Sequence, residues 1–194
     1  NLTMYAKALL IDRQSFALSG GLGLTVPTGD DISVGFADGT QLLRIANRSV
    51  HLQPFLGMLY TPNPSWFAQG FVQTDFAANG NPVSANTGSG LSAAGVFTDP
   101  NFIYADFGLG CWLYRSNSSS GLTGVIPTLE VHHSNSLAGP DVVTAGPIQV
   151  GNFRGAVSQT SLVAGTTLEF GARSQLTAGY ALPVTSADRQ YNNA

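Results

Sequence analysis

Residues 16–26 read FALSGGLGLTV, and this stretch changes character at every second position. One parity is apolar and the other is small or hydroxylic: Phe16, Leu18, Gly20, Leu22, Leu24 and Val26 against Ala17, Ser19, Gly21, Gly23 and Thr25. A period of two is typical of a β-strand whose two faces meet different surroundings. The stretch therefore predicts a strand with one apolar face.

The same alternation recurs along the chain, whereas apolar residues at helical spacing are almost absent. Seven further runs follow it, of which the first and third are the least regular: 2–11, 50–60, 66–76, 103–114, 122–132, 162–170 and 175–184. Eight patterned runs joined in sequence predict an all-β, antiparallel fold, which we expect to form one domain over residues 1–194.

Charge is scarce and sits on one parity only. The 194 residues include 8 Lys+Arg and 11 Asp+Glu, about 10% against roughly 25% in an ordinary soluble domain. The ionisable residues inside the runs all avoid the apolar parity: Lys7, His51, Asp75, Asp106, Glu130, His132 and Glu169. A charge-free face opposite one of Gly, Thr, Ser, Gln and aromatics is typical of a membrane barrel with a polar interior. We predict an up-and-down antiparallel transmembrane β-barrel.

Other function classes lack the residues they need. A net charge of −3 gives no electrostatic footprint for nucleic acid. The single cysteine, Cys111, can neither form a disulfide within the chain nor build a thiolate zinc site. No apolar run reaches the length of a transmembrane helix. We expect no cofactor and no bound metal ion.

The connections between runs alternate in length. They are short near 12–15, 61–65, 116–121 and 171–174, and long across 28–48, 77–101 and 135–155, with another long one beginning at 185. Membrane barrels have short periplasmic turns and long extracellular loops, so we predict solvated loops at the long connections. With that orientation the chain starts and ends outside, and we expect the eight strands to belong to a barrel of about ten to twelve that lacks at least one terminal strand here.

Two sets of side chains are candidate functional residues. Aromatic residues on the apolar parity beside short turns are predicted to lie at the membrane interface: Phe16, Tyr60, Trp66 and Phe170. Polar and aromatic residues on the other parity are predicted to line the lumen: Lys7, His51, Gln53, Gln73, Asp75, Tyr104, Asp106, Trp112, Glu130, His132, Glu169 and Gln175. The acids outnumber the bases among them, which favours cations in a narrow pore. The aromatics either form a path for apolar solutes or fill the interior.

Three pieces of the sequence resemble the outer-membrane barrel family of the MetA pathway of phenol degradation. They are GLTVPTGD at 23–30, VIPTLEVH at 125–132 and LTAGYALPVTSADRQYN at 176–192. The resemblance implies an outer-membrane channel or uptake protein of a Gram-negative-type bacterium, for small hydrophobic or aromatic compounds.

Other functions stay open beside passive passage. His132 and Ser134 lie two residues apart, and their His-x-Ser-Asn piece is similar to that of outer-membrane lipid A deacylases, which implies a lipid acyl hydrolase. His51, Asp106, Glu130 and His132 share one parity, as a metal site would need. A soluble Gly-rich β-sandwich for binding or assembly would use the alternation as core and solvent faces.

Passive passage or uptake of small molecules is the function that these patterns favour. It places the protein in the lipid bilayer of a bacterial outer membrane, as a monomer, and it requires neither catalysis nor a nucleic acid partner.

Overall fold

A computed structural model describes residues 1–138, 141–151, 153 and 155–185. Strands make up this part of the chain, in the order β1 (Leu2–Arg13), β2 (Phe16–Val26), β3 (Ile32–Gly35), β4 (Gln41–Ile45), β5 (His51–Asn63), β6 (Trp66–Ala77), β7 (Asn81–Asn86), β8 (Leu91–Phe97), β9 (Phe102–Cys111), β10 (Tyr114–Arg115), β11 (Leu122–Ser136), β12 (Val142–Ala145), β13 (Ile148–Gly151), β14 (Ser158–Phe170) and β15 (Ser174–Pro183). None of the described residues belongs to a helix long and apolar enough to cross a membrane.

The all-β, antiparallel prediction is confirmed. Each of the eight patterned runs lies mostly in a strand of one large sheet, whose order is β1-β2-β5-β6-β9-β11-β14-β15, with β10 beside β11. Consecutive long strands are therefore neighbours, as in a meander. Within the described residues no ladder joins β1 to β15, so the sheet has two free edges and is not closed into a barrel.

The apolar parity is the exposed face of this sheet. Leu56 of β5 is 52% exposed and Leu129 of β11 is 54% exposed. On the opposite parity of β5, Gln53 and Phe55 are half-buried, and Gly108 of β9 is buried. Leu56 and Leu129 thus point away from the protein, whereas the polar parity of the inner strands is more sheltered. In the edge strands β1 and β15 both parities are exposed.

The sheltered face is concave. Lys7 of β1 and His132 of β11 line the same cavity of about 500 Å³, although their strands are five places apart in the sheet. In a flat sheet five steps would separate them by about 24 Å. One compact space that touches both residues requires the sheet to curl around its polar face.

The long connections differ from the prediction of solvated loops, because they fold into hairpins. Strands β3, β4, β7 and β8 form a second sheet, and β12 pairs with β13; we call these six strands the cap. Val83 of β7 is 2% exposed, and Val143 of β12, beside Gly95, is also buried. The most deeply buried apolar side chains of the described chain are therefore mostly in the cap.

One further difference concerns the end of a strand. The run 103–114 is interrupted: β9 ends at Cys111, Trp112 lies between strands, and Tyr114 starts β10. Pro27 follows the last residue of β2 and Pro183 ends β15, as expected of residues that cannot donate to a ladder. The long connection predicted to begin at 185 falls almost entirely on residues 186–194, which lie outside the described residues.

Candidate functional site

The candidate site is the concave face, where strand register brings the predicted lumen residues together. Lys7 pairs with Gly21, Asp106 with His132, and Glu169 with Gln175 on adjacent strands. The strand pairing places all the predicted lining residues on this face except one: Lys7, His51, Gln53, Gln73, Asp75, Tyr104, Asp106, Glu130, His132, Glu169 and Gln175. The exception is Trp112, which lies beyond the end of β9.

A chain of polar contacts lies at the long-loop end of the face; we call Tyr5, His51, Gln53, Asp75 and Asp99 the rim cluster. His51 Nδ1 lies 2.7 Å from Asp75 Oδ1, and Gln53 Nε2 donates to Asp75 Oδ2 at 3.0 Å. Tyr5 donates its hydroxyl to Gln53 Oε1 at 3.0 Å. These side-chain contacts link β1, β5 and β6, and both oxygens of the Asp75 carboxylate take part in them.

The rim cluster also ties the cap to the large sheet. Asp99, in the connection between β8 and β9, lies 3.3 Å from His51 Nε2 and accepts from Asn81 Nδ2 at 3.2 Å. Asn81 Oδ1 in turn accepts from the backbone N–H groups of Arg48 and Ser49 at 2.8 and 2.9 Å. The start of β5 is thereby fixed to β7 of the cap.

Ser49, His51 and Asp75 stand in the order of a hydrolytic triad. Ser49 Oγ lies 3.1 Å from His51 Nε2, while His51 Nδ1 faces Asp75. However, Ser49 is only 3% exposed, and its hydroxyl donates to the carbonyl of Asn79 at 3.0 Å. A nucleophile must reach its substrate, which the buried Ser49 hydroxyl cannot do. This arrangement therefore stabilises the junction between the cap and the large sheet.

A second cluster lies near the middle of the strands; we call Asp106, Glu130 and His132 the central cluster. His132 Nδ1 lies 2.8 Å from Asp106 Oδ1, and His132 Nε2 lies 3.0 Å from Glu130 Oε2. Both ring nitrogens are engaged with carboxylates. His132 therefore has no nitrogen left for Ser134, the partner that acyl hydrolysis would require.

The cavity of about 500 Å³ lies beside the central cluster. Its polar lining includes Lys7, Gln69, Asp106, Glu130 and His132, and its apolar lining includes Phe71. Such a volume is in the range that holds a small organic molecule. This concave, partly polar space is therefore a candidate binding site.

Aromatic side chains fill part of the interior by lying over glycines. A Cβ at Gly21 would collide with the ring of Phe55, and one at Gly110 would collide with Phe67. Phe55 also contacts Tyr5 and Phe71, with ring centroids 6.1 and 5.8 Å apart. At these positions the rings fill space, one of the two roles predicted for them.

Trp112 lies at the short-turn end of the large sheet. Its ring lies 5.2 Å from that of Phe67, and the Arg115 guanidinium lies 4.2 Å from the indole centroid, within cation–π distance. Its buried Nε1 has no hydrogen-bond partner among the described residues. Trp112 therefore packs against Phe67 and Arg115 from the connection between β9 and β10.

The predicted interface aromatics gather at this same end, on the outer face. Phe16 pairs directly with Tyr60 on adjacent strands. Trp66 begins β6 and Phe170 ends β14. Tyr60, Trp66 and Phe170 are exposed and Phe16 is half-buried.

Two carboxyl groups of the cap have lowered pKa values. The Arg44 guanidinium donates to Asp31 Oδ2 from Nη2 at 2.6 Å and from Nε at 3.0 Å, and together with the N–H of Asn47 it lowers the pKa of Asp31. The N–H of Thr40 donates to Asp38 at 2.8 Å and lowers the pKa of that carboxyl. Both contacts favour ionised carboxylates.

The sequence pattern missed several residues of the site. Ser49, Asn81 and Asp99 lie outside the eight patterned runs, in connections whose structure the period of two does not predict. Tyr5 lies within the first run and shares the parity of Lys7, which was the signal available to find it. Among the described residues no group of three or more His, Cys, Asp or Glu side chains is arranged to hold a metal ion.

Comparisons of the chain with protein-family models, with curated proteins and with solved structures find no match.

Proposed function

We propose that this protein is an outer-membrane β-barrel through which small molecules pass. The observation that carries the proposal is the burial pattern of the large sheet, in which the charge-free apolar parity faces outward. Leu56 and Leu129 are each more than half exposed. In water such a surface would cost about 25 cal/mol for each Å², whereas in hydrocarbon it is favourable.

The concave face supplies what the interior of such a barrel needs. It carries charged clusters and a cavity of about 500 Å³, and its polar groups hydrogen-bond one another across strands. The outer aromatics, among them Tyr60 and Trp66, lie at the short-turn end, where a membrane interface would meet them. In this proposal the cap is extracellular and the short turns are periplasmic.

Closure of the barrel is part of the proposal. The free edges of β1 and β15 expose unpaired N–H and C=O groups, which hydrocarbon does not tolerate. We propose that they pair with each other or with further strands, in a barrel of about ten to twelve strands. Membership of the MetA-pathway family remains a proposal that rests on the three short motifs at 23–30, 125–132 and 176–192.

The competing functions have less support. A soluble β-sandwich would pack the leucine parity into a dry interior, yet Leu56 and Leu129 are exposed. Acyl hydrolysis would require a contact between His132 and Ser134, whereas the nitrogens of His132 face Asp106 and Glu130.

Conductance tests the proposal. The full chain, folded in detergent and added to a planar lipid bilayer, is expected to give discrete current steps that favour K⁺ over Cl⁻, because acidic groups outnumber basic ones on the concave face. Flat traces from protein that is folded and inserted would contradict passage. Protein that folds without detergent or lipid and stays in aqueous solution would contradict the membrane assignment.

A further inference from the structure

We propose that the cavity of the concave face binds small zwitterionic molecules with an aromatic or aliphatic body. The anionic end would face Lys7 and the cationic end the central cluster of Asp106, Glu130 and His132. This inference rests on the proposed function, because it names the class of solute that the same face would select.

Lys7 supplies the positive side of the cavity. It is the only lysine in the sequence, and it lines the cavity from β1. No described acidic side chain forms an ion pair with it, although Asp31 and Asp75 do have basic partners. An unpaired ammonium on a cavity wall is available to a carboxylate or another anionic group of a solute.

The central cluster supplies the negative side. The cluster consists of two carboxyl groups and one imidazole, so its acidic groups outnumber its basic one. Asp106 contacts His132 through Oδ1 and Glu130 contacts it through Oε2, so each carboxylate keeps a second oxygen. Those oxygens can accept hydrogen bonds from an ammonium group.

Apolar side chains complete the cavity. Phe71 lines it from β6, and Leu9 and Leu59 line it from β1 and β5. An anion would be attracted by Lys7 but repelled by the carboxylates of the central cluster. A cation would be attracted by those carboxylates but repelled by Lys7. A zwitterion satisfies both sides at once, while its body replaces water against Phe71.

Equilibrium binding to the full chain folded in detergent tests this inference. Four probes of similar size isolate the charges: 4-(aminomethyl)benzoate, benzoate, benzylamine and benzyl alcohol. Calorimetric titration is expected to show the zwitterion binding about tenfold more tightly than either single ion, as one added charge contact predicts. Lys7→Gln should reduce the affinity for the zwitterion about tenfold and leave that for benzylamine unchanged or higher.

Glu130→Gln provides a second variant with the opposite signature, since it should weaken benzylamine and the zwitterion but not benzoate. Arg13→Gln, which removes a positive charge outside the cavity, is the matched control and should change none of the affinities. Circular dichroism of each variant reports folding independently of binding.

Equal affinity for all four probes, no binding of any probe, or a zwitterion affinity unchanged in both Lys7→Gln and Glu130→Gln would overturn the inference. The outcomes separate it from the proposed function. Selective binding without conductance would support the zwitterion site and contradict passage through the barrel. Conductance without charge-dependent binding would support passage and contradict the zwitterion site.

Discussion

The ring of Phe67 on β6 occupies the space above Gly110 on β9, its direct partner in the strand register. The glycine leaves the concave face open at that point, and the aromatic ring fills it. The same relation holds between Phe55 and Gly21. Gly21 and Gly110 thus each leave space on this face for the ring of a cross-strand neighbour.

Gly110→Ala is expected to destabilise the protein by about 1–3 kcal/mol, because the added methyl group collides with Phe67 and overpacks the site. The double variant Gly110→Ala with Phe67→Ala should lose less stability than the sum of the two single changes. Denaturant titration of the four proteins gives the coupling free energy. Gly179→Ala is the control, since its Cβ would meet ordinary contacts of 3.5 Å or more. If the destabilisation of the double variant equals the sum of the two single changes, the packing of the Phe67 ring does not depend on glycine at position 110.

Leu56→Arg tests the outer face. A positive charge on a lipid-facing strand is expected to destabilise the protein folded in vesicles by about 2–4 kcal/mol near the bilayer midplane. Gln69→Lys adds the same charge to the concave face, where water and acidic groups are near, and should cost less than about 1 kcal/mol. Urea titrations in phospholipid vesicles measure both. Equal costs for the two variants would indicate that the faces meet the same solvent.

His132→Ala is expected to raise the preference of the pore for K⁺ over Cl⁻, because Asp106 and Glu130 lose the group that now engages both of them. Glu130→Gln should lower it. The reversal potential of a planar bilayer under a KCl gradient measures the preference. Ser134→Ala is the control and should leave the potential unchanged. Identical potentials for the wild type, His132→Ala and Glu130→Gln would place the selecting charges elsewhere.

The prediction of the eight long strands succeeded because each strand separates two chemically different surroundings. In 103–111 and 123–132, for example, acids and glycines stand on one parity and leucines and valines on the other. The alternation is therefore repeated over nine or more residues. The same property predicted that Asp106 and His132 share a face. Their contact depends on the register between β9 and β11, which a period of two does not give.

The cap could not be predicted in this way. Its strands β3 and β12 have four residues each, too few for a period of two to stand out. The burial of Val83 and Val143 depends on hairpins that are distant in sequence. The rim cluster was predicted in part: His51, Gln53 and Asp75 follow the parity rule, whereas Asp99 and Ser49 come from connections that have none.

The contact between Asp31 and Arg44 predicts a pH dependence of the cap. Since the pKa of Asp31 is lowered in the folded protein from its ordinary value of 3.8, its contribution to stability is present above that value and is lost as pH falls through the folded pKa. The protection factors of the β3 and β4 amides, which correct the exchange rates for the intrinsic pH dependence of exchange, should therefore fall below a pH of about 4. Arg44→Gln should weaken this dependence, while Arg48→Gln should have less effect. An unchanged profile in Arg44→Gln would contradict the assignment.

The central claim is that the leucine parity of the large sheet faces hydrocarbon. Spin labels at successive cysteine substitutions from 52 to 58 along β5, in a Cys111→Ser background and in lipid vesicles, measure it most directly. The account predicts that collisions with oxygen peak at 52, 54, 56 and 58, and that collisions with a water-soluble nickel complex peak at 53, 55 and 57. Oxygen accessibility without a period of two, or a nickel complex that reaches the even positions more readily, would contradict the claim.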